Sequence, residues 1–153
     1  MIRKKLRSRR GFSLSELLVV LAIMSLVGMA IGVGISTAGK AYDEITMNSE
    51  ASALCGTLAV ELSDELRFAG HIAGGGDTFT YASARFGANA GVGTDAAGHV
   101  TIGGRQLLSE AAYMGLAADV NARYEAGYFL VKITVLKGER ALSAAALSIV
   151  PIN

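Results

Sequence analysis

The chain has 153 residues, 14 basic and 13 acidic, for a formal net charge of +1, and 52% of its residues are hydrophobic at a mean hydropathy of +0.43. That length leaves room for one domain with a modest core, and the single cysteine, Cys55, excludes an internal disulfide framework. The near-neutral total hides an asymmetry. Residues 1–11 hold six of the basic side chains (Arg3, Lys4, Lys5, Arg7, Arg9, Arg10) and no acid, which leaves a net charge of −5 on the rest. A net-acidic body argues against electrostatic binding of nucleic acid.

After the basic stretch, Leu17–Ile35 runs for 19 residues with no charge and Ser25 as its one hydroxyl. As a helix it would reach roughly 28 Å, close to the thickness of a hydrocarbon core. Positive flanks stay cytoplasmic, so the N-terminus is expected inside the cytoplasmic membrane and the bulk of the chain outside it. A secretory signal peptide shares the basic start, and small residues near Ser36, Thr37 and Ala38 offer a cleavage site. However, this apolar run exceeds the usual core of a signal, and Glu16 stands at its mouth. An uncleaved signal anchor suits the length but gives no reason for Glu16 or for the Gly11-Phe12 junction.

The stretch "GFSLSELLVVLAI", behind a basic leader, resembles the processing site of type IV prepilins and pseudopilins. The resemblance rests on about 25 residues: the leader, Gly-Phe, a glutamate four residues after the phenylalanine, and an uninterrupted apolar helix. It implies a leader at 1–11, cleavage by a prepilin peptidase between Gly11 and Phe12, and N-methylation of Phe12. It also implies assembly with other pilin or pseudopilin subunits, driven by a membrane platform protein and an ATPase. Two features depart from the family pattern. Ser15 takes the place of a bulky aliphatic residue, and the apolar helix has no proline, leaving Gly28, Gly32 and Gly34 to loosen it.

Glu16 then acquires a role. A carboxylate deep in a bilayer costs on the order of 3 kcal/mol or more and generally has a partner. Cleavage would create one, the terminal amine of Phe12 on a neighbouring subunit, and pairing with it would fix the stagger between membrane helices. The plainer reading has the carboxylate snorkelling to the headgroups.

Helical character is expected to continue past the membrane. Residues 40–69 lack proline and space Leu54, Leu58, Leu62 and Leu66 four apart, with Glu50, Glu61, Asp64 and Glu65 on the remaining surface. Gly70 is read as ending this helix, and the triple glycine at 74–76 as excluding regular structure. From Thr78 the period becomes two, which predicts a strand over 78–86. Residues 87–98 read as a loop, Gly103-Gly104 as a hairpin turn, and 109–120 as a short helix or loop capped by Ser109. The clearest strand pair is 128–137 with 141–150, turning at Lys137–Arg140 and ended by Pro151.

The expected fold class is α+β: a long N-terminal helix, membrane-spanning in its first half and amphipathic in its second, packed on a small antiparallel sheet of about four or five strands. The division expected is a leader at 1–11, a membrane or filament-core segment at 12–36, and an extracytoplasmic domain at 37–153. His71 and His99 have no metal-ligand spacing and read as surface or turn residues. Gly34–Ala41 has the glycine-to-lysine spacing of a phosphate loop, but Ala41 replaces the required hydroxyl. No catalytic constellation, metal site or cofactor is expected. The functional expectation is a structural subunit of a type IV pilus or of a secretion or competence pseudopilus. It would sit in the cytoplasmic membrane before assembly, then in a filament at the cell surface or in the periplasmic or cell-wall space. The alternative is a membrane-tethered extracytoplasmic binding domain that never polymerises.

Overall fold

The computed structural model describes residues 13–152. The chain divides into two units between Glu44 and Ile45. One helix, α1 (Leu14–Arg67, 54 residues), supplies all the described structure of the first unit beyond Ser13, and the opening element of the second. No proline interrupts it, and Gly28, Gly32 and Gly34 lie inside it as helical residues.

In the second unit α1 buries Ala51, Leu54, Cys55, Leu58, Leu62 and Leu66, the three-and-four spacing of one helix face. Cys55 is a small packed residue of that face. α1 stops at Arg67, where the Ala69 amide bonds back to the Leu66 carbonyl at 3.3 Å. Gly70, read as ending the helix, lies three residues past its last turn. It begins strand β1 (Gly70–Gly75), and a positive φ falls on His71.

The strands form three small three-stranded antiparallel sheets rather than one sheet of four or five. The first joins β1 to β2 (Thr78–Ser83) and β3 (Gly87–Ala90); the second joins β4 (Val92–Thr94), β5 (Val100–Ile102) and β6 (Arg105–Gln106). After a 3₁₀ turn at Glu110–Tyr113, the third and largest takes β7 (Ala117–Glu125), β8 (Tyr128–Lys137) and β9 (Arg140–Ile149) in that order. The triple glycine belongs to the β1–β2 hairpin. Gly74 has φ +86°, and a Cβ there would meet the Thr78 carbonyl oxygen at 2.4 Å. Glycine thus permits the pairing that its composition argued against. The expected loop at 87–98 contains β3 and β4. The 3₁₀ turn at Glu110–Tyr113, with Ser109 at its N-cap, falls where a short helix or loop was read, and β7 takes only the end of that stretch. The Gly103-Gly104 turn and the β8–β9 hairpin fall where the sequence placed them.

The leucine face of α1 and the inward rows of the sheets make one core. β8 alternates inward Phe129, Val131, Ile133 and Val135 with outward Leu130 and Lys132. Phe129 anchors an aromatic cluster, its ring 5.2 Å from Phe79, 4.9 Å from Tyr124 and 6.2 Å from Tyr81. Each large side chain fully buried here contributes about 1.5–3 kcal/mol. The exposed Glu61–Arg85 pair, at 3.3 Å, adds at most about 1 kcal/mol. The core holds the domain together, and its ion pairs are secondary.

Leu62→Ala, at a fully buried site, is expected to lower unfolding stability by about 2–5 kcal/mol. Val60→Ala, on the exposed side of the same turn, should change it by less than about 0.5 kcal/mol. Chemical denaturation of the detergent-solubilised chain, followed by near-ultraviolet circular dichroism, checks the contrast.

Candidate functional site: the amino-terminal helix

Ser13 sits just before the first helical residue. Its carbonyl accepts from the amides of Glu16 at 3.0 Å and Leu17 at 3.1 Å, closing the first turn. Glu16 therefore lies in that turn, where the unbonded amides of a helix start make a positive end that favours a carboxylate by about 0.3–1 kcal/mol. Ser13 and Glu16 also stand at the spacing of a capping box, a start signal legible in the sequence that the reading passed over. The side-chain bond formed is a different one, between the Ser13 and Ser15 hydroxyls at 2.8 Å. This bond gives Ser15, the departure from the family pattern, a local partner at the helix entrance. Among the described residues no cation lies within ion-pair distance of Glu16. Gly11 and Phe12, the expected cleavage and methylation positions, lie outside the described residues, as does the 1–11 leader.

Beyond Glu16 the helix is apolar on every side. Its large hydrophobic residues from Leu14 to Ile35 are 44–82% exposed, whereas a soluble monomer rarely shows a contiguous apolar patch above a few hundred Å². It is the one helix among the described residues long and apolar enough to cross a membrane. The hydroxyls within it make no demand on a partner: Ser25 donates to the Ala22 carbonyl at 2.8 Å, and Thr37 to the Val33 carbonyl at 2.9 Å. Gly34–Ala41, the stretch with phosphate-loop spacing, is helical throughout and forms no loop.

The other singled-out residues are scattered. Glu61, Asp64 and Glu65 are exposed or half-buried and line an open pocket with Phe68, Ala84 and Arg85. No group of three or more His, Cys, Asp and Glu side chains among the described residues is placed to hold a metal. His71 is exposed, as expected.

His99 closes the 95–99 turn, as one of its two expected placements had it, but it is buried, and it belongs to a polar cluster the sequence reading missed. Asp95 Oδ1 accepts from the amides of Ala97 at 2.9 Å and His99 at 2.8 Å, while Oδ2 accepts from Gln106 Nε2 at 3.2 Å. That amide nitrogen also lies 3.0 Å from His99 Nδ1. The His99 ring packs 4.4 Å from Tyr113, whose hydroxyl accepts from the Val100 amide at 2.7 Å. These bonds tie the 95–99 turn to β6 and to the 3₁₀ turn. Desolvation is the main reason the Tyr113 hydroxyl is pushed above its ordinary value. The bond from the His99 amide chiefly holds the Asp95 carboxyl below the ordinary carboxylate value, with the Gln106 and Ala97 bonds assisting. Asp95 and Gly98 in a tight turn were the available sequence signal.

Comparison with known proteins bears on the helix and not on this cluster. Residues 6–32 match the family model described as the prokaryotic N-terminal methylation motif. The match takes in the Gly11-Phe12 junction, Glu16 and most of the apolar run, and stops before the second unit begins. No curated protein and no solved structure matches the chain.

The lowered Asp95 value sets an acid dependence. A carboxyl whose folded-state pKa is depressed stabilises the fold above its unfolded value of about 3.9, and loses that contribution as pH falls through the folded value. Wild type is therefore expected to exceed Asp95→Asn in stability at neutral pH, with the difference shrinking below about pH 3.9. Denaturation curves of both proteins between pH 7 and pH 2 check this, and a pH-independent difference would remove Asp95 from the acid response.

Proposed function

We propose that this chain, which carries the amino-terminal signature of type IV pilins and pseudopilins over residues 6–32, is a structural subunit of a pilus or pseudopilus and not an enzyme. The observation that carries the reading is the coincidence of that signature with an apolar helix left uncovered by its own chain. In this reading a prepilin peptidase cuts between Gly11 and Phe12 and methylates the new Phe12 amine. The helix holds the subunit in the cytoplasmic membrane with the leader inside, until a platform protein and an assembly ATPase draw it into a filament. There, helices of neighbouring subunits replace lipid around Leu14–Ile35, keeping the same apolar surface out of water.

Glu16 sets the register in this scheme. At 4 Å and an effective dielectric near 20, a carboxylate and an ammonium attract by about 4 kcal/mol. That is comparable to the cost, about 3 kcal/mol, of holding an unpaired carboxylate at membrane depth. A subunit whose Glu16 meets the Phe12 amine of a neighbour offsets the cost, and one in any other register does not.

Two measurements test the proposal. Mass spectrometry of the mature chain is expected to find N-methyl-Phe12 at its start. An intact Met1 would instead favour a tether that never polymerises, and a start near Gly39 would favour ordinary secretion. Glu16→Gln keeps the length and hydrogen-bonding capacity of the side chain but removes the charge. The variant should be cleaved, methylated and membrane-bound, yet absent from sheared filaments; incorporation at the wild-type level would show that Glu16 serves only the helix start.

A further inference from the structure

Asp95 dictates the orientation of the Gln106 amide, and through it the state of the His99 ring. A carboxylate only accepts hydrogen bonds, so Asp95 Oδ2, 3.2 Å from Gln106 Nε2, fixes which end of that amide faces it. The second hydrogen of the same nitrogen is left for His99 Nδ1, 3.0 Å away. To receive it, Nδ1 has to carry a lone pair. The bonds therefore select the neutral ring with its hydrogen on Nε2.

A proton added to the ring reverses that arrangement. An Nδ1–H would face the Gln106 N–H at 3.0 Å, donor against donor. Asp95 Oδ2 lies 3.5 Å from the same ring nitrogen and can take an ion pair with it. The His99 side chain keeps 11% of its surface exposed, so a proton can reach it without unfolding of the turn. The titratable groups set against the ring are Asp95, on its own turn, and Tyr113, on the 3₁₀ turn. β6 presents the uncharged Gln106, and β7 brings Ala117 and Ala118 to Gly98. Burial chiefly raises the Tyr113 hydroxyl, and the bond from the His99 amide chiefly lowers the Asp95 carboxyl. Tyr113 thus stays neutral and Asp95 ionised between pH 8 and pH 5, the range in which histidine changes its charge.

The element at stake is β6, a strand of two residues whose side chains tie it in two directions. Arg105 donates to the Arg85 carbonyl at 3.4 Å and lies 5.7 Å over the Phe86 ring, in the turn between β2 and β3. Gln106 holds the 95–99 turn between β4 and β5. Backbone pairing to β5 adds two residue pairs and the Leu107 amide, which donates to the Val100 carbonyl at 2.9 Å. We propose that His99 is a proton-operated latch on this strand: the neutral ring holds β6 through Gln106, and the protonated ring releases Gln106 and pairs with Asp95, closing the 95–99 turn on itself. The latch lies wholly within the second unit and does not depend on the filament reading.

Nuclear magnetic resonance of the isotope-labelled full chain in detergent tests it. At pH 8 the His99 ring is expected as the Nε2–H tautomer, with Nδ1 giving the signal of an unprotonated nitrogen. From pH 8 to pH 5 the Gln106 side-chain amide signals should shift with the same midpoint as the ring. Protection of the Leu107 amide against hydrogen exchange, corrected for the intrinsic effect of pH, should fall about threefold or more, the scale of one neutral hydrogen bond. In His99→Asn the Gln106 signals should stay fixed over this range. An Nδ1–H tautomer at pH 8, a Gln106 amide indifferent to the ring's titration, unchanged Leu107 protection, or an equal shift in His99→Asn would each overturn the latch. The three wild-type readouts decide the matter even where His99→Asn does not fold.

Discussion

The apolar surface of α1 between Leu14 and Ile35 is the constraint on which the rest depends. Fourteen large hydrophobic side chains there have no cover from their own chain. Even at half of the 1.5–3 kcal/mol assigned to full burial of each, hiding them from water is worth on the order of 10–20 kcal/mol. That equals or exceeds the whole net stability of an ordinary domain. Whatever surrounds this helix, lipid or the helices of other subunits, therefore decides where the protein resides. Both environments are apolar, so moving from one to the other changes little in hydrophobic free energy. In the filament reading proposed above, a transfer from membrane to filament would therefore be governed by packing and by the few polar groups present.

Glu16 is the polar group that such a near-balance leaves in control. The helix start contributes up to about 1 kcal/mol toward its carboxylate, which covers only part of the cost of taking a charge into a membrane-like medium. The remainder calls for a cation, and the described chain provides none near it. Under the proposed function, an amine exposed by cleavage of a second subunit would supply that cation only after processing, and charge would then couple assembly to maturation. The Ser13–Ser15 hydroxyl bond lies just before Glu16 in the chain and gives each hydroxyl a local partner.

The parts of the fold legible in the sequence were those with strong periodicity. The leucine row of α1, the inward row of β8 and the hairpins at Gly103-Gly104 and Lys137–Arg140 follow from spacing and turn chemistry that tertiary context does not override. Strand β7 carried the same alternation, with Asp119, Asn121, Arg123 and Glu125 outward and Ala118 and Val120 inward, but small alanines weakened the signal. β1 was illegible for a different reason. Glycine lowers strand propensity in general, yet Gly74 is required because a side chain there would strike the facing backbone. The division into three small sheets was beyond reach, since it depends on which strand ends meet and not on how each strand alternates. In the candidate site, Glu16 and the apolar run were readable because membrane solvation acts on local sequence. The Asp95–His99–Gln106–Tyr113 cluster was not, because it is assembled from a turn, a two-residue strand and a 3₁₀ turn.

The two units solve the burial problem in opposite ways, and this explains why one helix can serve both. Past Ile45, α1 turns a single leucine face to the sheets and places Glu61 and Asp64 away from it, so the domain closes its core within one chain. Before Glu44 no such asymmetry exists, and closure has to come from outside. A defect in the leucine face is thus a folding defect of one molecule, whereas a defect at Glu16 costs the chain itself only its part in the helix start, up to about 1 kcal/mol.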